Sequence, residues 1–467
     1  MSIAFVALSV IFLSLVWNNN VWMDEAFTAS LVHDSFIGVI KASMADTLPP
    51  LYNIILWATT SVFGYTVPVM KITSVLPMIL TLLLGATVVR RRFGVRTALL
   101  FMIYITLMPL FMYYGVEIRM YSLGYFAATG AGLYAYEIVC ENTRSNWIKF
   151  TLFSVLAGYS HHFAFVTAAF AYLYLLIYFI FIKKSGIKDW LKCLLATFIL
   201  YLPCLIVTIN QIQRVSTYFS MPYVDVALFI QYLSYPFVVG IRPASILCVM
   251  MMWTALVIFS QDVFWDGDRN PDKIYAICCF TVYYGVLVFG TVMGKILPAN
   301  IFVDRYLFFS AGLLWLFAAI IFDRSDKTYY IAVIAALIVG VCTYIVEFKV
   351  EYSNSANEEI AYLRTVIEEG DTYYSISEDE DMQNCIPFYT ILDDETPDLE
   401  YIDNIEDAIK TAKKRGTDTW VTVIDGHEIP QEDLAVLIKN NKSLEKEADF
   451  DFDRYKCTFY KVVDLKS

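Results

Sequence analysis

Long apolar runs separated by short polar loops fill the first three-quarters of the chain, and a polar, alternating pattern fills the rest. Runs of roughly 20 apolar residues, enough to cross a hydrocarbon core of about 30 Å, recur from the start to about residue 348. The pattern predicts about eleven crossings, at 3–17, 67–89, 97–114, 121–140, 147–160, 163–182, 190–209, 244–261, 274–293, 306–322 and 328–347. The opening "MSIAFVALSVIFLSLVW" has neither a basic leader nor a small-residue cleavage site and reads as a retained first span.

Lysine and arginine fall unevenly between these runs. The loops "RRRFGVR" (90–96), "ENTRSNWIK" (141–149), "KKSGIKDWLK" (183–192), "DGDRNPDK" (266–273) and "DRSDK" (323–327) are basic. By the positive-inside rule they are cytoplasmic. The stretches near 18–66, 115–120, 161, 210–243 and 295–305 then face the other side. Parity holds only if "PPLYNIILWATTSVFG" (49–64) and "VDVALFIQYLSYPFVVG" (224–240) do not cross. The first of these is somewhat short and opens with two prolines, which suit a helix start and not its middle. The N terminus is expected inside and the C-terminal part outside.

The long first outer loop carries helical spacing in two pieces. Phe27 and Leu31 share one face, Phe36, Ile37, Ile40 and Met44 another, and Asp34 stands between them as an expected N-cap. Short amphipathic helices of this kind lie flat at headgroup level. Residues 349–467 read as a small α/β domain. "DTYYSIS", "DTWVTVID" and "RYKCTFYKVV" are strand-like, and "EEIAYLRTVIEE", "IEDAIKTAKKRG" and "QEDLAVLIKNN" are helical. The predicted architecture is an all-α polytopic membrane bundle (1–348) with interfacial helices, followed by an acidic extracytoplasmic α/β domain (349–467).

Composition sharpens this picture. The chain is 58% hydrophobic and 17% charged, too apolar for a soluble globule. Residues 349–467 hold 29 acidic and 13 basic side chains, so the net charge of -12 belongs to the tail and not to the membrane body. An acidic tail repels nucleic acid and anionic headgroups. It contains no glycine-rich phosphate loop or nucleophile elbow. Most of the nine cysteines lie in apolar runs, where small buried thiols are ordinary; Cys385 and Cys457 could pair if the tail meets an oxidising compartment.

Charges at a bilayer edge are costly and need a reason. Asp24, Glu25, Asp46, Glu117, Arg119, His161, His162, Asp304 and Arg305 all fall on the predicted outer face. This mixture of acids and bases suits a substrate that is both anionic and hydroxylated. Arginines bind phosphate through charge-assisted hydrogen bonds, and a carboxylate on the far side of a sugar can take a proton from an incoming hydroxyl. Lys71, Arg214 and Arg242 are further outer-face cations. The bland readings are helix-start acids for Asp24 and Glu25, an ion pair for Glu117 with Arg119, helix capping for the two histidines, and a snorkelling anchor for Arg305 beside an aromatic-belt Tyr306.

A "W-x-DE" after the first span, "D-x-x-PPL" some twenty residues on, "FG" before the next span, "E-x-R-x-Y" at 117–121 and "RY" at 305–306 together resemble the GT-C glycosyltransferases. The nearest groups are the protein O-mannosyltransferases (glycosyltransferase family 39) and the lipid A aminoarabinose transferases. The resemblance covers residues 1 to about 350 and rests on order and spacing. It implies a helical membrane bundle, a polyprenyl-phosphate sugar donor and transfer with inversion. It implies Asp24 as catalytic base with Glu25 and Asp46 in support. Donor or phosphate contacts would come from Arg119, Glu117, Tyr121, Arg305 and Tyr306, with Lys71, Arg242, His161 and His162 as further candidates. Where many relatives have histidine before the two prolines, this chain has Leu48. Some members use a divalent metal, but no ligand pattern is visible among the four histidines. The acceptor would be a cell-envelope glycan, lipid or protein. The rival class, a transporter or flippase of lipid-linked sugars, would also place charge in membrane helices, but no inverted repeat or matched pair of broken helices is seen.

Overall fold

The computed structural model describes residues 1–218, 223–237, 242–264, 270–297, 300–353, 355–376, 399–402, 404–424, 426–452 and 455–465. They form two compact units. The first comprises Met1–Ser14, Phe36–Leu56 and Lys71–Glu347; the second comprises Leu15–Ser35, Trp57–Met70 and Phe348–Ser467.

Among the described residues, six helical runs are long and apolar enough to cross a membrane: Val67–Leu107, His162–Ile182, Ile187–Gln211, Pro271–Ile296, Asp304–Phe322 and Asp326–Glu351. The chain is an integral multi-pass membrane protein. The 41 residues of Val67–Leu107 would reach about 60 Å if straight, twice the hydrocarbon thickness. Gly94, at φ 90° and ψ 175°, breaks the run inside the basic "RRRFGVR", in a conformation that costs glycine little. Two expected spans differ in extent. The first helix is Ser2–Leu13, ending four residues before the expected 17. The helix expected to reach 114 stops at Leu107, because Met108 precedes proline and is extended (ψ 150°). Leu110 then turns through φ 76° into a short helix, Phe111–Val116. Leu51–Phe63 is a helix of 13 residues, about 20 Å long, one residue longer than Ser2–Leu13.

The basic loops gather at one end of the first unit. Glu137, buried, accepts Arg92 Nε at 2.7 Å and Arg91 at 2.8 Å, while Arg92 also reaches Glu141 at 2.7 Å. Arg96 pairs with Asp323 and Asp326, and the Tyr136 hydroxyl donates to Asp272. Four loops predicted to lie on one side therefore meet. The helix Tyr121–Cys140 runs about 30 Å from this cluster to Arg119, just before its start. It lies tightly against Phe308–Phe322: a Cβ on Gly124 would sit 2.6 Å from the Phe309 ring. Small residues at such crossings let helices approach closely.

In the second unit the "NNN" after the first span meets the end of the last one. Asn20 Nδ2 donates to the carbonyls of Val350, Glu351 and Ser353, groups that a helix C-terminus leaves unmet. The helix Met23–Val32 is held by the Tyr65 hydroxyl, which donates to Ala29 O at 2.6 Å, and by the His33 ring, 4.8 Å from that of Tyr65. Asp34, the expected N-cap, lies one place too early: the helix begins at Phe36, so Ser35 precedes it and donates its N–H to the Asp34 carboxylate.

The tail forms a five-stranded sheet from β1 (Thr372–Ile376), β2 (Glu400–Tyr401), β3 (Thr419–Ile424), β4 (Lys442–Phe452) and β5 (Tyr455–Asp464), in the order β2-β1-β3-β5-β4. β1 is parallel to β2 and β3; β5 is antiparallel to β3 and β4. The helices Ile405–Arg415 and Gln431–Lys439 cover one face, packing Ile405, Ile409 and Leu437 on Val421, Val423 and Val462. Asp371 ties β1 to β3, accepting from Asp418 N and Trp420 Nε1. Of the expected pair, Cys457 is buried in β5, whereas Cys385 lies outside the described residues.

The helix Ser355–Val366 sets Tyr362 against Phe450 and Phe459. On that buried stripe, Glu359 is fully enclosed and neither carboxylate oxygen has a hydrogen-bond partner among the described residues. Burial pushes its carboxyl well above the ordinary range. The folded domain thus keeps a proton that the unfolded chain releases near pH ~4.3. Stability is therefore greatest below that value and falls as pH rises toward the folded-state value, by up to ~1.4 kcal/mol per pH unit. Glu359→Gln is expected to abolish this slope and strengthen the domain at neutral pH. Opening free energies of β3 and β5 amides from hydrogen exchange check this, and parallel pH slopes in the two proteins would refute it.

Candidate functional site

Three chain segments converge at the end of the first unit away from the Arg–Glu cluster. In the joint between Phe111–Val116 and Tyr121–Cys140, Glu117 turns out of the helix (ψ 133°) and its carbonyl accepts the Arg119 N–H at 2.6 Å. Glu117 is buried and Arg119 half-buried. The second segment is the 3-10 turn Asp304–Leu307 that leads into Phe308–Phe322. There the Asp304 carboxylate accepts the Arg305 N–H at 2.8 Å.

The third segment is the break at "SHHF". One helix ends at Ser160 and the next begins at His162. His161 between them is extended, and its Nδ1 accepts the Phe163 N–H at 3.1 Å, meeting one of the orphan donors of a helix start. Its ring lies 4.3 Å from Phe309 and 4.6 Å from Tyr306. Burial, then His162, Arg119 and Arg305, push the imidazole well below its ordinary value. It is therefore neutral, and both arginines lie within electrostatic reach of it.

The structure thus brings Glu117, Arg119, His161, Arg305 and Tyr306 together. Tyr121 is buried, its ring 4.9 Å from Tyr114 and 6.0 Å from Phe309. Asp304 and Arg305 also lie within reach of Tyr114. Asp46 is half-buried and its Oδ1 accepts the Thr47 N–H at 2.6 Å. Lys71 is fully buried, and the side chain of Arg242 lies outside the described residues. Leu48 contributes its carbonyl, which accepts from Gln211 Nε2 at 2.7 Å.

Asp24 and Glu25 occupy the first turn of Met23–Val32 in the second unit. Their roles there differ. Glu25 Oε2 accepts the Trp22 N–H at 3.1 Å, closing the helix start. Asp24 is 5% exposed, and its carbonyl accepts the Thr28 hydroxyl.

Gln211 and Asn300, which line one pocket with His161, were not singled out by the sequence. The signal for Gln211 was there: an amide in "INQIQ" at the outer end of an apolar run. Among the described residues no group of three or more His, Cys, Asp or Glu is placed to hold a metal ion.

No known protein family and no curated protein matches the chain by sequence. Solved structures do match in shape. ArnT from Cupriavidus metallidurans in the apo state superposes with a TM-score of 0.66 at 13% identity, over 98% of this chain and 97% of that one. The same protein bound to undecaprenyl phosphate gives 0.65 at 13%, with the same coverage. By architecture, this chain shares the fold of ArnT over nearly its whole length.

Proposed function

We propose that the chain is a membrane glycosyltransferase that moves a sugar from a polyprenyl-phosphate donor to an extracytoplasmic acceptor with inversion. The observation that carries this is the convergence of Arg119, Arg305 and neutral His161 at one end of a membrane bundle that shares its fold with ArnT. The likeness to ArnT bound to undecaprenyl phosphate supports a polyprenyl-phosphate carrier.

In this reading the chain crosses the membrane about eleven times, with the N terminus inside. Residues 1–348 catalyse, and 349–467 form an extracytoplasmic domain. Asp24 takes the proton of the acceptor hydroxyl, whose oxygen attacks the anomeric carbon while the bond from that carbon to the phosphate oxygen breaks. The electron pair leaves with the polyprenyl phosphate, whose growing charge Arg119 and Arg305 stabilise. Glu25 and Asp46 shape the loops around the base.

The purified full-length chain in liposomes, given a radiolabelled polyprenyl-phosphate sugar and cell-envelope acceptors, is expected to release polyprenyl phosphate and label the acceptor. Movement of intact donor between leaflets without cleavage would favour the flippase reading instead.

A further inference from the structure

Beside the arginines, still within the first unit, lies a pocket of about 320 Å³, at the small end of ligand-binding cavities. Phe163, Phe165, Val166, Leu205, Ile301 and Val303 give it an apolar wall, and no charged side chain lines it. Several of its polar groups satisfy one another. The Tyr201 hydroxyl bonds with Thr208 at 2.8 Å, and Asn300 bonds both backbone groups of Phe302.

Three buried polar atoms remain, His161 Nε2, His162 Nε2 and Gln211 Oε1; none makes a hydrogen bond of full geometry among the described residues, although His162 and Gln211 lie within reach of each other. His161 and Gln211 are each 1% exposed. Their chemistry follows from what their other atoms do. His161 Nδ1 is an acceptor for Phe163 N–H, so in the neutral ring the proton sits on Nε2, which is a donor. Gln211 Nε2 is held by the Leu48 carbonyl, which leaves Oε1 as an acceptor.

We propose that this pocket binds the uncharged, hydroxyl-bearing part of a substrate on an apolar body, separate from the arginines that would take phosphate. A hydroxyl both accepts from an N–H and donates to an amide oxygen, so it suits the His161 donor and the second lone pair of the Gln211 acceptor, which line the same pocket. A charged group would meet no charged side chain in the wall itself, and an anion is better served by the arginines beside the pocket. The natural source of that hydroxyl, donor sugar or acceptor, rests on the proposed function; the pocket's chemical preference does not.

The test uses the full-length chain in nanodiscs and a diazirine-bearing octanol, with matched diazirine octane and octanoate. Octanol is expected to crosslink to 161–166 and 201–211 at least tenfold more than the other two probes. Leu205→Trp, or Val166→Phe from another part of the wall, should remove that labelling in protein that remains monodisperse, and Gln211→Leu should weaken it about tenfold. Equal labelling by all three probes, or labelling unchanged by both filling variants, would overturn the proposal. Protection by a polyprenyl-phosphate sugar but not by polyprenyl phosphate would identify the donor sugar as occupant. Protection by neither would leave the acceptor hydroxyl, and equal protection by both would mean a prenyl chain fills the pocket and would overturn the assignment. None of these readouts needs transfer to occur, so failure here is distinguishable from failure of the proposed function.

Discussion

Asp24→Asn is expected to slow sugar transfer by about 10²- to 10⁴-fold, the usual contribution of a positioned general base, while donor affinity changes little. Asparagine keeps the size and much of the hydrogen bonding of aspartate but cannot accept the proton. Glu25→Gln supplies the control. Because Glu25 is engaged with the Trp22 N–H at the start of Met23–Val32, and glutamine serves equally well in that position of a capping box, this change should leave the rate within a few-fold of wild type. Single-turnover rates with pre-bound donor would separate chemistry from binding. If both variants lose activity equally, the two acids act as a unit; if Asp24→Asn is as fast as wild type, the base lies elsewhere.

The second large effect concerns the cations. Arg119→Ala and Arg305→Ala should each lower kcat/KM by about 10²- to 10³-fold, the scale found when one preorganised donor to a developing negative charge is removed. Lysine at either position would keep the charge but lose the planar fork that meets phosphate oxygens in pairs, so partial recovery is expected. A snorkelling anchor would respond differently: Arg305→Lys would then be silent. The two alanine effects should fall short of additive, since His161 lies within reach of both guanidinium groups and residues sharing one site couple. Strict additivity in the double variant would indicate that the arginines serve different ligands.

Much of the bundle was legible because a membrane span is written in consecutive residues. The expected helices at 121–140, 163–182 and 274–293 appear as Tyr121–Cys140, His162–Ile182 and Pro271–Ile296. Misjudged ends trace to local chemistry, as at Met108, where the following proline forces an extended residue. In the tail, β1, β3 and β5 were readable from their β-branched and aromatic residues. β4 was not: "KSLEKEADFDF" is rich in charge because it is an edge strand, paired only with β5, and charged side chains protect such edges.

The site was less legible for a different reason. Sequence alone determined which charged residues sit at the ends of apolar runs, because desolvation makes every such charge conspicuous wherever it falls. It therefore pointed to Arg119, His161 and Arg305 before any fold was known. Only the tertiary structure decided which of them share a space, that Glu25 closes a helix, and that the His161 ring caps one helix while its other nitrogen faces a cavity. It also drew in Gln211, whose amide is bonded to the carbonyl of Leu48. Contacts between residues more than a hundred positions apart depend on how helices pack against one another, and that information is spread over whole helix faces instead of residing in any short motif.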